Sequence, residues 1–137
     1  MNKKIIVVAV GIIILLVSFY SIKKIKIKNI VSEYTYIGKE YCYTYDNNNE
    51  HHNKRYYDFY IDNQGKTFCI ENNNKIIEIN NIEDLEKLYI TKINTLVIDK
   101  STAMVAYDEN NNETSSYYLK NKMFPNEESN YWDFIKE

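Results

Sequence analysis

The sequence predicts an α+β protein: an N-terminal transmembrane helix, then a small, mainly antiparallel β domain with two helices in the order strands–helix–strands–helix. Three observations lead there. Residues 5–20 form a run of sixteen without a charge; the segments between residues 34 and 79 alternate and are rich in tyrosine; and "NNIEDLEKLYI" switches to helical spacing. A chain of 137 residues has room for one such domain beside the apolar segment.

The opening "MNKKIIVVAVGIIILLVSFYSIKKIKIKNI" justifies the first element. As a helix, residues 5–20 rise about 24 Å, and extension through Ile22 gives about 27 Å, close to a hydrocarbon core of about 30 Å. Lys3, Lys4, Lys23 and Lys24 can reach the two interfaces, and Tyr20 suits the boundary. A cleaved export signal needs small residues just after the apolar run, where Phe19 and Tyr20 stand. A soluble core helix apolar on every face would need protein all around it. The reading is therefore an uncleaved anchor: residues 1–22 as anchor with a short cytoplasmic tail, 23–33 as a basic juxtamembrane tether, and 34–137 as a single extracytoplasmic domain. The bilayer is the expected partner of residues 5–22. Counting lysines alone slightly favours the opposite orientation, but the short dibasic N-terminus is the pattern of an export signal.

In "YCYTY", Tyr41, Tyr43 and Tyr45 share one strand face and Cys42 and Thr44 the other. Residues 55–61 and 66–71 read as a hairpin through "DNQG". A two-residue Gln64-Gly65 turn would pair Ile61 with Phe68 and Phe59 with Ile70, gathering five apolar side chains on one face. Lys75–Ile79 reads as a fourth strand. Asn81 is placed to cap a helix whose Ile82, Leu85, Leu88 and Tyr89 form one stripe. Strands are expected over residues 95–99, 102–108 and 115–119. In "PNEESNYWDFIKE", a last helix capped by Asn126 would align Tyr131, Trp132 and Ile135.

Composition narrows function by exclusion. Residues 1–33 carry a formal charge of +5 and residues 34–137 of −7, so the body repels phosphate backbones and no nucleic acid is expected as partner. Nineteen asparagines, twenty isoleucines and sixteen lysines mark a compositional bias, and the Asn-Asn-Asn runs read as turns. With three glycines there is no loop to cradle a phosphate, and there is no GxSxG, HExxH or CxxC pattern. The sequence points to no cofactor and to no catalytic residue. "NET" at Asn112–Thr114 is a chance acceptor match in so Asn-rich a chain.

The candidate residues cluster between Tyr41 and Glu71. Cys42 and Cys69 form the candidate disulfide, which an oxidising compartment would permit. In a simple meander they lie two strands, roughly 9–10 Å, apart, beyond the Cα separation of about 4.4–6.8 Å that a disulfide spans. His51 and His52 are the weak candidates for a metal contact, and a Cys69–His52 pair the weak candidate for thiol catalysis. Tyr41, Tyr43 and Tyr45 are the candidate ligand-binding row, suited to a protein or glycan partner. The function expected is a membrane-anchored binding or interaction module. The alternatives are a surface hydrolase or thiol enzyme, and a cytoplasm-facing accessory subunit of a membrane complex.

Overall fold

The computed structural model describes residues 2–45, 51–93 and 102–133; of residues 44, 45, 51–54 and 102 it describes the backbone alone. The chain forms two compact units, residues 1–33 and 34–137. The first is a single helix, α1 (Lys3–Glu33), with no buried residue. It is long and apolar enough to cross a membrane. Helical structure continues through the basic stretch after Ile22, so the segment read as a tether shares α1's backbone. Ser18, the polar interruption of the apolar run, donates its hydroxyl to the Ile14 carbonyl four residues back at 2.8 Å, within the same helix.

The second unit is α+β, as the sequence predicts. Six antiparallel strands, β1 (Thr35–Tyr45), β2 (His51–Ile61), β3 (Thr67–Glu71), β4 (Lys75–Ile79), β5 (Thr102–Asp108) and β6 (Glu113–Thr114), make one sheet in the order β4-β3-β2-β1-β5-β6. The first four form a meander, and the chain then returns to the other side of β1. Between β4 and β5 lie α2 (Ile82–Leu88) and one π-helical turn, Tyr89–Ile93. After β6 come α3 (Ser116–Met123) and the short α4 (Asn130–Asp133).

Turn chemistry sets the pairings. Asp62 clamps the β2–β3 connection: its Oδ1 accepts from the backbone N–H of Gln64 at 2.9 Å and of Lys66 at 2.8 Å. Gly65, at φ +80°, supplies the left-handed residue that closes the three-residue loop. Between β3 and β4, Asn72 and Asn73 both adopt positive φ (50° and 57°), the pattern of a type I′ turn. The Asn110–Asn112 run likewise lies at a turn: Asp108 Oδ1 accepts from the Asn110 and Asn112 backbone N–H groups, each at 2.9 Å.

The three-residue loop changes the β2–β3 register from the one expected. Ile61 pairs with Thr67 and Phe59 with Cys69, one residue away from the two-residue-turn alignment. Phe68 and Ile70 therefore stand on the opposite face from Tyr57, Phe59 and Ile61. Both faces of β3 are nonetheless buried, from Thr67 through Ile70.

The main core lies on one face of the sheet. Cys42, Tyr57, Phe59, Cys69, Ile79 and Ala106 meet the helical residues Ile82, Leu85, Tyr89, Leu119 and Trp132 there. Asn81 caps α2 through its side chain, which accepts from the Asp84 N–H, and the Ile82–Leu85–Leu88–Tyr89 stripe is buried as its spacing predicts. β1 crosses α3 at Gly38, whose φ is +152° and whose hydrogen faces the Tyr107 carbonyl oxygen and the Leu119 side chain. A β-bulge lies beside it, between Tyr36 and Gly38.

Two other expectations are corrected. Residues 115–119, read as a strand, begin α3: Ser115 accepts from the Tyr118 N–H at 3.2 Å and caps it, and Leu119 and Met123 fall at i and i+4 on its buried side. The last helix starts at Asn130 rather than after Asn126, with the Ser129 hydroxyl accepting from the Tyr131 N–H at 3.2 Å. The strand expected over residues 95–99 lies outside the described residues.

Candidate functional site

The side of the sheet away from the helices carries an aromatic layer. Alternation along β1 places Lys39, Tyr41 and Tyr43 on that side; β2 contributes Tyr56, Asp58 and Tyr60, and β3 contributes Phe68 and Ile70. The cross-strand pairs Tyr41–Tyr56, Tyr36–Tyr60 and Tyr60–Phe68 follow from the register. Their rings touch. Tyr60 stacks on Phe68 at 5.1 Å and 10°, and Tyr34 meets Phe68 edge-on at 4.6 Å. Tyr36 and Tyr60 lie 5.4 Å apart, Tyr41 and Tyr56 4.9 Å, and Tyr41 and Tyr43 5.1 Å. Apart from the buried Phe68, the tyrosine rings of this layer are half-buried. None of these residues belongs to the core that the helices close.

Polar groups fix the layer further. The Tyr36 hydroxyl donates to Asp58 at 3.3 Å. Burial raises the Asp58 carboxyl above the usual range, against the pull of Lys39 and of the Tyr36 hydrogen bond. The same aspartate, with burial as the larger cause, pushes the Tyr36 hydroxyl up. The result is a mosaic of ring edges, hydroxyls, one lysine and one carboxylate over several adjacent strands.

Of the row Tyr41, Tyr43 and Tyr45, the first two sit in this layer. Tyr45 pairs with His51 in the backbone, and its side chain lies outside the described residues. The sequence row was only part of the surface. Tyr36, Tyr56 and Tyr60 complete it, and the signal for the last two was the period-two spacing in "YYDFY". Tyr57, between them, turns to the core, is fully buried, and donates to Glu71 at 2.9 Å.

Cys42 and Cys69, the candidate disulfide pair, stand apart as free thiols. The reason is the strand order: Cys42 is on β1, Cys69 on β3, and β2 runs between them. Both are fully buried. Burial, with Glu40 adding to it, pushes the Cys42 thiol up to about 12, and burial pushes Cys69 up as well. A nucleophilic cysteine needs the reverse, an exposed thiol with a lowered pKa. His51 and His52 lie at the start of β2, with side chains outside the described residues. Among the described residues no group of three His, Cys, Asp or Glu is placed to hold a metal ion.

One ionisable cluster had no signal in the sequence. Glu40 points from β1 into the core and is fully buried. Its Oε1 accepts from the Tyr89 hydroxyl at 2.8 Å and from the Ser116 hydroxyl, and its Oε2 has no partner. Burial raises its pKa to about 7, against the two hydrogen bonds, which lower it. The cluster ties β1 to the π-helical turn and to α3, in the interior rather than at an opening.

Comparison with protein-family models, curated proteins and solved structures finds no match.

Proposed function

We propose that the chain is a single-pass membrane protein, anchored by α1 with residues 34–137 outside the cytoplasm, and that its domain is a binding module. The occupant of the tyrosine layer is a partner protein. The observation that carries this reading is the layer itself: seven aromatic side chains in two contacting groups, Tyr34–Phe68–Tyr60–Tyr36 and Tyr43–Tyr41–Tyr56, on the sheet face that none of the domain's described helices closes. Tyrosine gives large amphipathic contact area with few rotatable bonds, and rings already held by their neighbours lose little further freedom on docking. Because Tyr60 and Phe68 stack on each other, their facing ring surfaces are occupied. That favours a protein, which reads edges and hydroxyls, over a sugar ring, which needs open ring faces.

Placement at a membrane rests on α1's length and apolarity, and the outward orientation on its dibasic start. The test is site-specific photo-crosslinking of the full chain in its native membranes, with the reactive side chain at position 56 or, as control, at the exposed helical position 83. The reading expects one discrete protein adduct from position 56, absent from position 83 and lost when Tyr41 is changed to lysine. Identical adducts from both positions, an adduct digested only by glycosidases, or none at all would overturn it. Protease digestion of intact cells checks orientation: a C-terminal tag on the outside is removed, and a protected tag refutes the outward placement.

A further inference from the structure

The turns of α1 just past its apolar run carry a site of their own. A shallow groove of about 350 Å³ runs along the helix there, lined by Tyr20, Ser21, Lys24, Ile25 and Lys28. Tyr20, Lys24 and Lys28 follow one another at i, i+4 and i+8, with Ser21 and Ile25 at i and i+4 beside them, so the five share one face. Its polar groups are two ammoniums and two hydroxyls, all able to donate and none negative. The Ser21 hydroxyl stands out among the serines of α1. Ser18 donates to the Ile14 carbonyl at 2.8 Å and Ser32 to the Asn29 carbonyl at 2.7 Å, whereas Ser21 meets no acceptor among the described residues. No carboxylate among those residues pairs with Lys24 or Lys28, and the one acid of residues 1–33, Glu33, stands five positions past Lys28.

Depth and charge narrow the occupant. Helical rise puts Lys24 about 3 Å and Lys28 about 9 Å beyond Ile22, where the span ends. The headgroup layer on each side of the hydrocarbon is about 5–8 Å deep, so the two ammoniums bracket the level of the lipid phosphate. One turn below Tyr20 and Ser21, the exposed Leu16 and Val17 offer the same face to an acyl chain. We infer that this face binds the headgroup of an anionic phospholipid, its phosphate between Lys24 and Lys28 and accepting from the Tyr20 and Ser21 hydroxyls. A zwitterionic headgroup ends in an ammonium, which would meet four lysines between residues 23 and 28 and no acid; an anionic one has only negative charge to place. Lys23 and Lys26 carry the same charge but project at least about 100° away around the helix. The site rests on the reading of α1 as a membrane span and holds for either orientation of the chain.

The experiment places the purified full chain in phosphatidylcholine nanodiscs doped with phosphatidylglycerol and counts, by native mass spectrometry, the lipids retained on the released chain. Phosphatidylglycerol should exceed its share of the bilayer by about fivefold or more, the worth of one well-placed lysine. Lys24→Gln combined with Lys28→Gln should return the retained lipids to bulk composition. Lys23→Gln combined with Lys26→Gln removes equal charge from other faces and should keep most of the preference. All four positions are exposed on the helix, so neither variant disturbs a packed core. Retention at bulk composition by the wild type, or an equal loss in the two double variants, would overturn the inference. Alkaline carbonate extraction of native membranes tests the span separately: a chain released into the supernatant refutes the anchor and the site with it. A chain that stays in the pellet but shows no preference for phosphatidylglycerol refutes the site alone.

Discussion

The Tyr89 hydroxyl donates to Glu40 Oε1 at 2.8 Å, and neither residue has any exposed surface. A carboxylate so placed has traded water for two hydroxyl hydrogen bonds, and burial outweighs them: its pKa stands at about 7, above the ordinary 4.5. The folded state therefore holds a proton that the unfolded state releases. Stability from this group is fully present below about pH 4.5 and is lost as the pH rises through about 7. On that shift, the loss is about 3 kcal/mol.

Urea unfolding of the full chain in detergent, followed by Trp132 fluorescence, should therefore give a midpoint that falls between pH 5 and pH 8. In Glu40→Gln, whose amide oxygen still accepts from Tyr89 and Ser116, that slope should flatten, and at pH 8 the variant should be the more stable. A wild-type midpoint that rises over this range would contradict the placement of Glu40.

Two glycines should respond unequally to alanine. At Gly65 a methyl group meets nothing within 4 Å, and only the positive φ of 80° resists it, so Gly65→Ala should cost about 1 kcal/mol. At Gly38 the methyl runs into the Tyr107 carbonyl and the Leu119 side chain on top of the strained φ. Gly38→Ala should cost on the order of 3 kcal/mol or more, read as a shift in urea midpoint.

The two thiols should be silent in the native state. Cys42 and Cys69 are buried with raised pKa values, so an aromatic disulfide reagent at pH 8 should label neither on the timescale of an exposed thiol. Both should react once urea unfolds the domain, without prior reduction. If only reduction releases them, a Cys42–Cys69 bond exists and the β1–β2–β3 order is wrong.

Substitutions in the tyrosine layer should disturb folding only slightly. Tyr41→Lys and Tyr56→Lys remove ring contacts from a half-buried surface and should cost about 1 kcal/mol each. A midpoint loss several times larger would place these rings in the core.

Much of the fold was legible in the sequence because it was written in local terms. The Asn81 cap and the stripe from Ile82 to Tyr89 needed only one helical turn's spacing to be read, and the runs at 72–74 and 110–112 marked turns because Asn tolerates positive φ, while the run at 47–49 lies outside the described residues. What failed depended on distance or on close competition. Residues 115–119 carry the strand-favouring pair Tyr117-Tyr118, but the Ser115 cap and the Leu119–Met123 spacing favoured a helix. Glu40 looked like an ordinary strand glutamate, since its partners Tyr89 and Ser116 lie 49 and 76 residues away. The aromatic row was visible at Tyr41 and Tyr43, whereas the rest of the layer required the β1–β2–β3 alignment.

β3 is closed in from above and below, with Phe68 and Ile70 one way and Thr67 and Cys69 the other. Such a segment has no oily side to tell it which way up to lie, so greasiness alone would tolerate a slip by one position. The choice is made at the bends, where the Asp62 clamp, Gly65 and the Asn72–Asn73 pair admit one geometry each. Alignment of this sheet is thus encoded in a few small, water-facing residues, and errors there would misassemble the domain while leaving its oily content intact.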